Sequence, residues 1–585
     1  MKRRHFLQTL GGATPVVALG TVGAKTDTKP VRRHGSSNEP RVFYYDDGRH
    51  FSGLYQFAPP LESGDLTYAV DQLVNSGVDT LLYSAGLEGG IVQYGSQVAQ
   101  KWGDNVKQWD HPIFYRASRN LQQLVADGHD PMRILAERCH EKGIWFIPSG
   151  TVCIVGGNRK KDIGYGRKSD FVFDNPQFEV GNDEHPEARH LGRFFGPARF
   201  NFLHAEVRQE RFAIFEELLT NYETDGVELD FTIDNEFGPF CRIDEVPQLG
   251  PILTQWIRDI REVARRAEQS QGRQKRVYVR IPAGSASMWR IPGFEVETWV
   301  TEKLVDALIV ITPYKKETAK NRLLMMDQDL DLAPAIDLAR STECRVLAGY
   351  MSTLGQQLES MSTPEMTWAA AALAYDMGVD GFGLGLDGWV PNGWPWTKQE
   401  YRTLRKLGHP EVLATADKIY RVRSLDRNSD RNPESLFPLV GPVLPLAVSE
   451  GTPLELPFTV ADDLSRWQSE ERVKSVRMRV HVANIDIAGH DRIEVSLNGR
   501  SLPDSIREEI DLHFRYLKNQ AVGPYGYLLE YRLTPELFPR KGTNTLSVTL
   551  VKRDPVLRAG VEVYDVACMI EYRHHRQYER DPIEY

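Results

Sequence analysis

Residues 222–231 read Tyr222-Glu223-Thr224-Asp225-Gly226-Val227-Glu228-Leu229-Asp230-Phe231. A short run of β-branched and apolar residues behind an Asp-Gly pair predicts a strand. Successive side chains of a strand point to opposite faces, so Glu228 and Asp230 share one face and Val227, Leu229 and Phe231 the other. Phe212, Phe215, Leu218, Leu219 and Tyr222 recur at helical spacing before this strand. Ile252, Trp256, Ile257, Ile260, Val263 and Ala267 do so after it. A strand flanked by two amphipathic helices is one turn of an α/β repeat.

Working outward, the same alternation recurs. Strand-like runs begin at Arg41, Asp79, Gly143, Gly226, Val277, Ala307, Arg345 and Gly381, with helical stretches between them. Local punctuation agrees: Pro131 opens a helix that stops at Gly143, Thr363-Pro364 starts another, and Thr397 with Glu400 forms a capping box. Eight consecutive strand–helix units predict a closed (β/α)8 TIM barrel over residues 41–425. A doubly wound sheet is the alternative, but no GxGxxG follows the first strand. Two long loops, residues 85–115 and 150–205, leave the C-terminal ends of strands, where barrel active sites are built.

The pattern changes after residue 425. Pro433, Pro438, Pro442 and Pro445 mark a linker over 426–445. Alternating runs such as Val476–Val482, Ile493–Leu497 and Leu546–Leu550 predict an antiparallel β-sandwich over 446–585. Asn498-Gly499 and Gly542-Thr543-Asn544 read as its turns. At the other end, Lys2-Arg3-Arg4-His5-Phe6-Leu7 precedes a mildly apolar stretch and a small-residue site at Val22-Gly23-Ala24. Residues 1–25 are therefore expected to be a twin-arginine-type signal peptide and 26–40 a linker, giving export to the periplasm or beyond. No apolar run reaches the ~18 residues of a membrane helix, so no stable membrane insertion is expected. The net charge of −9 is spread along the chain, which argues against nucleic acid as partner. The five cysteines show no metal-ligand spacing, so neither a metal nor another cofactor is expected.

Upstream of the acidic strand stands Phe200-Asn201-Phe202-Leu203-His204-Ala205-Glu206-Val207-Arg208. With Asp225–Phe231, this segment resembles the glycosyl-hydrolase-like family 10 barrels. Residues 440–575 are similar to the small jelly-roll domains attached to many glycoside hydrolases. The resemblance implies a barrel acting on carbohydrate. Two familiar mechanisms do not carry over: the chitinase-type glutamate position holds Thr232, and the seventh strand ends Gly349-Tyr350-Met351, without a glutamate.

The chemistry is expected at the C-terminal mouth. Glu228 and Asp230 face the interior together, and two adjacent carboxylates push one pKa up. Asp230, nearer the mouth, is expected to be the ionised nucleophile or base, and Glu228 or Asp387 the general acid. The alternative is a buried ion pair with Arg280; a bidentate pair would leave Glu228 a positioning group and Asp387 the acid. Expected binding residues are Tyr45, Asp46, Asn201, His204, Asp234, Arg280, Tyr314, Lys315, Tyr350, Trp389 and Trp394, with Asp47, Glu236 and Trp396 beside them. Indole faces of that tryptophan-rich loop either stack on sugar rings or pack the rim. Three functions fit: an exported glycoside hydrolase on a poly- or oligosaccharide, a non-catalytic glycan-binding barrel, or a metal-dependent barrel enzyme.

Overall fold

The computed structural model describes residues 39–49, 53–86, 88–152, 160–191, 196–232, 236–313, 328–350, 362–386, 395–424, 436–438, 440–512 and 525–574. Eight parallel strands close into a barrel: β1 Val42–Asp46, β2 Thr80–Ser84, β3 Trp145–Thr151, β4 Gly226–Asp230, β5 Arg276–Pro282, β6 Ala307–Ile311, β7 Arg345–Tyr350 and β8 Gly381–Leu384. Each falls where the alternation placed it. The punctuation also holds. Asp130 caps the helix behind Pro131, Gly143 ends it in the left-handed region, and Thr397 with Glu400 makes the capping box.

Pairing register fixes which side chains face inward, because register partners share a face. Tyr45 lies beside Leu82 and Leu82 beside Ile147. Ser149 lies beside Glu228, and Glu228 beside Tyr278. Arg280 lies beside Ile309, Ile309 beside Leu347, and Leu347 beside Gly381. Gly383 returns to Phe43 and closes the ring. A side chain at Gly383 would collide with the Phe43 ring at 2.1 Å, so this glycine admits an aromatic plug to the interior.

The N-terminal rim carries a fourfold device. Asp79, Asp225, Asp306 and Asp380 stand immediately before the even strands β2, β4, β6 and β8. Each accepts a backbone N–H from the odd strand before it: Val42 at 3.0 Å, Phe146 at 2.8 Å, Val277 at 2.7 Å and Val346 at 2.8 Å. These bonds occupy N–H groups at strand starts and clip the strands in pairs.

The second domain holds two antiparallel sheets. One contains β9 Lys418–Arg421, β10 Leu446–Ala447, β12 Val473–Ala483, β15 Arg507–Asp511, β16 Gly526–Arg532 and β18 Glu562–Tyr572. The other contains β11 Leu454–Val460, β13 Arg492–Leu497, β14 Arg500–Ser501 and β17 Gly542–Lys552. They enclose their own core, including Val476, Met478, Leu529, Leu546, Val548 and Val566. Its first strand corrects the expected boundary at 425: Lys418–Arg421 pairs with β18, before the proline-rich stretch. Burial explains this position. Lys418 Nζ reaches Asp462 at 2.8 Å, and Tyr420 and Tyr572 donate to the same carboxylate inside the sandwich. The turn expected at 542–544 is also corrected. Those residues begin β17, and the Asn544 side chain closes the preceding turn by accepting from Arg540 N and donating to its carbonyl. Asn498-Gly499 is a turn, with both residues at positive φ.

The domains pack together. Ala369 and Leu373 of the barrel helix Pro364–Met377 belong to the sandwich core. Gln328 donates to the carbonyls of Met366 and Ile419 at 2.9 Å each and accepts from Arg421 N at 2.7 Å.

Candidate active site at the barrel mouth

Strand periodicity puts Glu228 and Asp230 inward on β4, and Arg280 rises beside them from β5. Its guanidinium grips Glu228 in bidentate fashion, Nε to Oε1 at 2.5 Å and Nη2 to Oε2 at 3.2 Å. Nη1 reaches Asp230 Oδ2 at 2.9 Å. Thr232 holds the other oxygen, donating to Oδ1 from its N–H at 2.9 Å and its hydroxyl at 2.6 Å. The Tyr45 ring lies 4.7 Å from the guanidinium carbon. Glu228, Asp230, Thr232 and Arg280 are buried, and Tyr45 is half-buried.

Both Glu228 oxygens are occupied by the Arg280 fork, the bidentate arrangement named above as the positioning alternative. Asp230 is 5% exposed and Glu228 0%, so Asp230 is the more accessible of the two, as its place nearer the mouth predicts, but both are buried. Burial lifts its pKa above the usual carboxylate range and the Glu228 charge adds to this, while Arg280 and Thr232 offset part of the rise. The two carboxylates share this one guanidinium in a site shielded from water. Burial also raises the Tyr45 phenol, keeping it neutral beside Arg280.

Other expected binding residues separate by strand phase. Tyr350 follows the inward Gly349 and so faces outward, where it stacks on Phe382 at 4.8 Å and donates to the Gln328 carbonyl. Asp46 follows the inward Tyr45, is fully buried, and accepts from Gly48 N at 2.8 Å, which shapes the loop. Neither faces the interior with the triad. Asn201 accepts from Leu203 N at 2.9 Å and so holds a turn. His204 occupies the N-cap position of helix Ala205–Thr220 without a side-chain cap bond and packs on Phe178 at 5.1 Å. Asp47 pairs with Arg49, and Glu236 is buried. Trp396 packs the rim, against Tyr44 and Tyr401. Asp234, Tyr314, Lys315, Asp387, Trp389 and Trp394 lie outside the described residues. Sequence reasoning passed over Thr232 as a partner of Asp230. Its signal was a hydroxyl two residues beyond the acid, a spacing at which an Asp accepts from nearby N–H and O–H groups.

No family model matches the chain, and no curated protein matches it. The chain is similar to several solved structures. One is a Paenibacillus sp. cycloisomaltooligosaccharide glucanotransferase complexed with cycloisomaltoheptaose, at 10% identity over 91% of this chain and 57% of that one, TM-score 0.34. Another is the PgaB (BpsB) glycoside hydrolase domain from Bordetella bronchiseptica, at 12% identity over 63% and 98%, TM-score 0.40. A third is alpha-L-fucosidase isoenzyme 2 from Paenibacillus thiaminolyticus, at 13% identity over 64% and 50%, TM-score 0.37. The chain thus spans little more than half of the first and half of the third. At these identities and scores the matches assign nothing to individual residues, and the barrel rests on its own strand pairing.

Proposed function

We propose that this protein is an exported glycoside hydrolase whose barrel cleaves a poly- or oligosaccharide. The observation that carries the reading is the buried triad of Glu228, Arg280 and Asp230, two carboxylates on one guanidinium. Glycosidic cleavage passes through an oxocarbenium-like transition state, and a desolvated negative charge stabilises the cation that develops. Asp230, with its pKa lifted by burial, exchanges the proton with the glycosidic oxygen or the attacking water. Glu228, held at both oxygens by Arg280, fixes the guanidinium against Asp230. Asp387, at the end of β8 in sequence, provides the opposing carboxylate that a two-sided displacement requires. The sandwich is accessory, and the twin-arginine segment directs export.

Asp230→Asn is expected to lower turnover on a responsive polysaccharide by about 100- to 10,000-fold, with folding and binding retained. Asp387→Asn should do the same. Near-normal turnover in Asp230→Asn would remove catalysis from β4. A second reading, a barrel that binds glycan without cleaving it, has one observation in its favour: a single arginine engages both carboxylates, as in a purely structural ion-pair core. In that case both variants would bind sugar like the parent, and the parent would cleave none.

A further inference from the structure

The end of the barrel opposite the triad places cations in its interior. Register sets Arg276 beside Gly226, Tyr278 beside Glu228 and Ala307, and Arg345 beside Ala307. All three therefore share the inward face, near the N-terminal ends of β5 and β7. Trp145, which starts β3, lies on that face beside Thr80. Its ring is 3.6 Å from the Arg276 guanidinium carbon. Arg276 and Tyr278 are buried, and Arg345 is half-buried.

A carboxylate from ahead of β1 meets these cations. Glu39 places Oε1 3.1 Å from Arg276 Nη2 and Oε2 3.8 Å from Arg345 Nη1. The Pro40 carbonyl accepts from Arg345 Nη2. Arg41 N and Val42 N then reach Asp79 at 2.6 and 3.0 Å. Among the described residues, Glu39 is the one carboxylate in ion-pair contact with either arginine. The acids around it are engaged elsewhere: Asp79, Asp306 and Asp380 accept strand N–H groups, and Asp306 also holds Arg261 at 2.6 Å. Two buried groups at the pit make no hydrogen bond, Arg345 Nη1 and the Tyr278 hydroxyl. The phenol is turned to this end of the barrel. Burial raises its pKa to about 12, Arg345 and Arg276 pull against the rise, and Asp306 and Glu39 add to it.

We propose that this pit is a carboxylate-binding site and that Glu39 is its resident ligand, strapping the N-terminal arm across the closed end of the barrel. Planar guanidinium groups match carboxylate oxygens, and the indole against Arg276 steadies one of them. Glu39 is tethered to the chain and stops 3.8 Å from Arg345 Nη1. A small free carboxylate has no such tether and can satisfy both idle donors. The pit lies at the end opposite the triad, so it bears on no step of the proposed reaction.

Two measurements on the full chain test the strap and the site. The first is limited trypsin digestion at neutral pH, with the cut after Arg41 followed by mass spectrometry. Cleavage of such a segment tracks how often it opens. Glu39→Ala should raise the rate of that cut about ten-fold over the parent, from the loss of one charge-assisted contact. The second is thermal melting in sodium formate against sodium chloride of equal ionic strength. Formate should raise the melting temperature of Glu39→Ala by about 2 °C and leave the parent, whose pit is filled, unchanged. Adding Tyr278→Phe to Glu39→Ala should weaken the formate response. A parental cutting rate in Glu39→Ala overturns the strap. An equal formate response in parent and Glu39→Ala, or one undiminished by Tyr278→Phe, overturns the site.

Discussion

The two ends of the barrel use the same residue for opposite purposes. At the N-terminal rim, Asp79, Asp225, Asp306 and Asp380 each accept a strand-start N–H. Asp225 and Asp306 add cations, Arg273 at 3.0 Å and Arg261 at 2.6 Å. At the C-terminal mouth, Asp230 shares a single arginine with Glu228. The rim carboxylates are matched by backbone donors, whereas at the mouth two buried carboxylates share one guanidinium. Burying two carboxylates on one cation is costly without a task, which is why the proposed site lies at the mouth and not at the rim.

The sharpest way to break this contrast is kinetic. Asp230→Asn should cost about 100- to 10,000-fold in turnover, whereas Asp306→Asn should leave kcat and KM on the same substrate near the parent values. Equal losses in both variants would dissolve the distinction. Next in size is Arg280→Met. It leaves two buried carboxylates without their cation and should lower unfolding free energy by about 3–5 kcal/mol in urea titrations at neutral pH. Adding Glu228→Gln should restore part of the loss, because one of the stranded charges disappears.

The rim itself predicts two pH dependences of opposite sign. Burial raises Asp79 to about 6 against its backbone donors, above the ~3.9 of an unfolded aspartate. The folded chain therefore holds that proton more tightly. Stability from this group is highest at low pH and declines as pH rises through about 6, by roughly 3 kcal/mol in all. Burial also pushes Asp225 up, but His140, Phe146 N and Arg273 outweigh it and bring its pKa below the usual value. Its contribution is present above about pH 4 and lost as pH falls through the folded pKa. Thermal melts from pH 3 to 8 should show Asp79→Asn flattening the upper window and Asp225→Asn the lower. The smallest expected effect is Asp306→Ala, about 1–3 kcal/mol, from an orphaned Val277 N–H and a released Arg261.

Much of the barrel was legible because its signals are local. Strand period, helix stripes and caps at Asp130, Gly143 and Thr397 are written within a few residues of one another. The sandwich was legible as a class but not at its edges. Lys418–Arg421 is a four-residue strand whose partner stands nearly 150 residues later, and nothing beside it in sequence marks that pairing. Strand phase was read correctly at β4 and β5 but not at the ends of β1 and β7. Asp46 and Tyr350 were chosen by chemical type, and the alternation that turns them outward went unused, although the inward Gly349 and Gly383 carry its trace.

By itself the sequence determined that Glu228 and Asp230 share a face and that this face belongs to a barrel strand, since a period of two is a property of the local backbone. The tertiary structure decided what surrounds those acids. Arg280 arrives from a strand some 50 residues away, closes on Glu228 with two prongs and on Asp230 with one, and burial then lifts the Asp230 proton affinity instead of leaving it solvated. Charge pairing and desolvation depend on everything within a few ångströms, and only the closed barrel brings those groups that near.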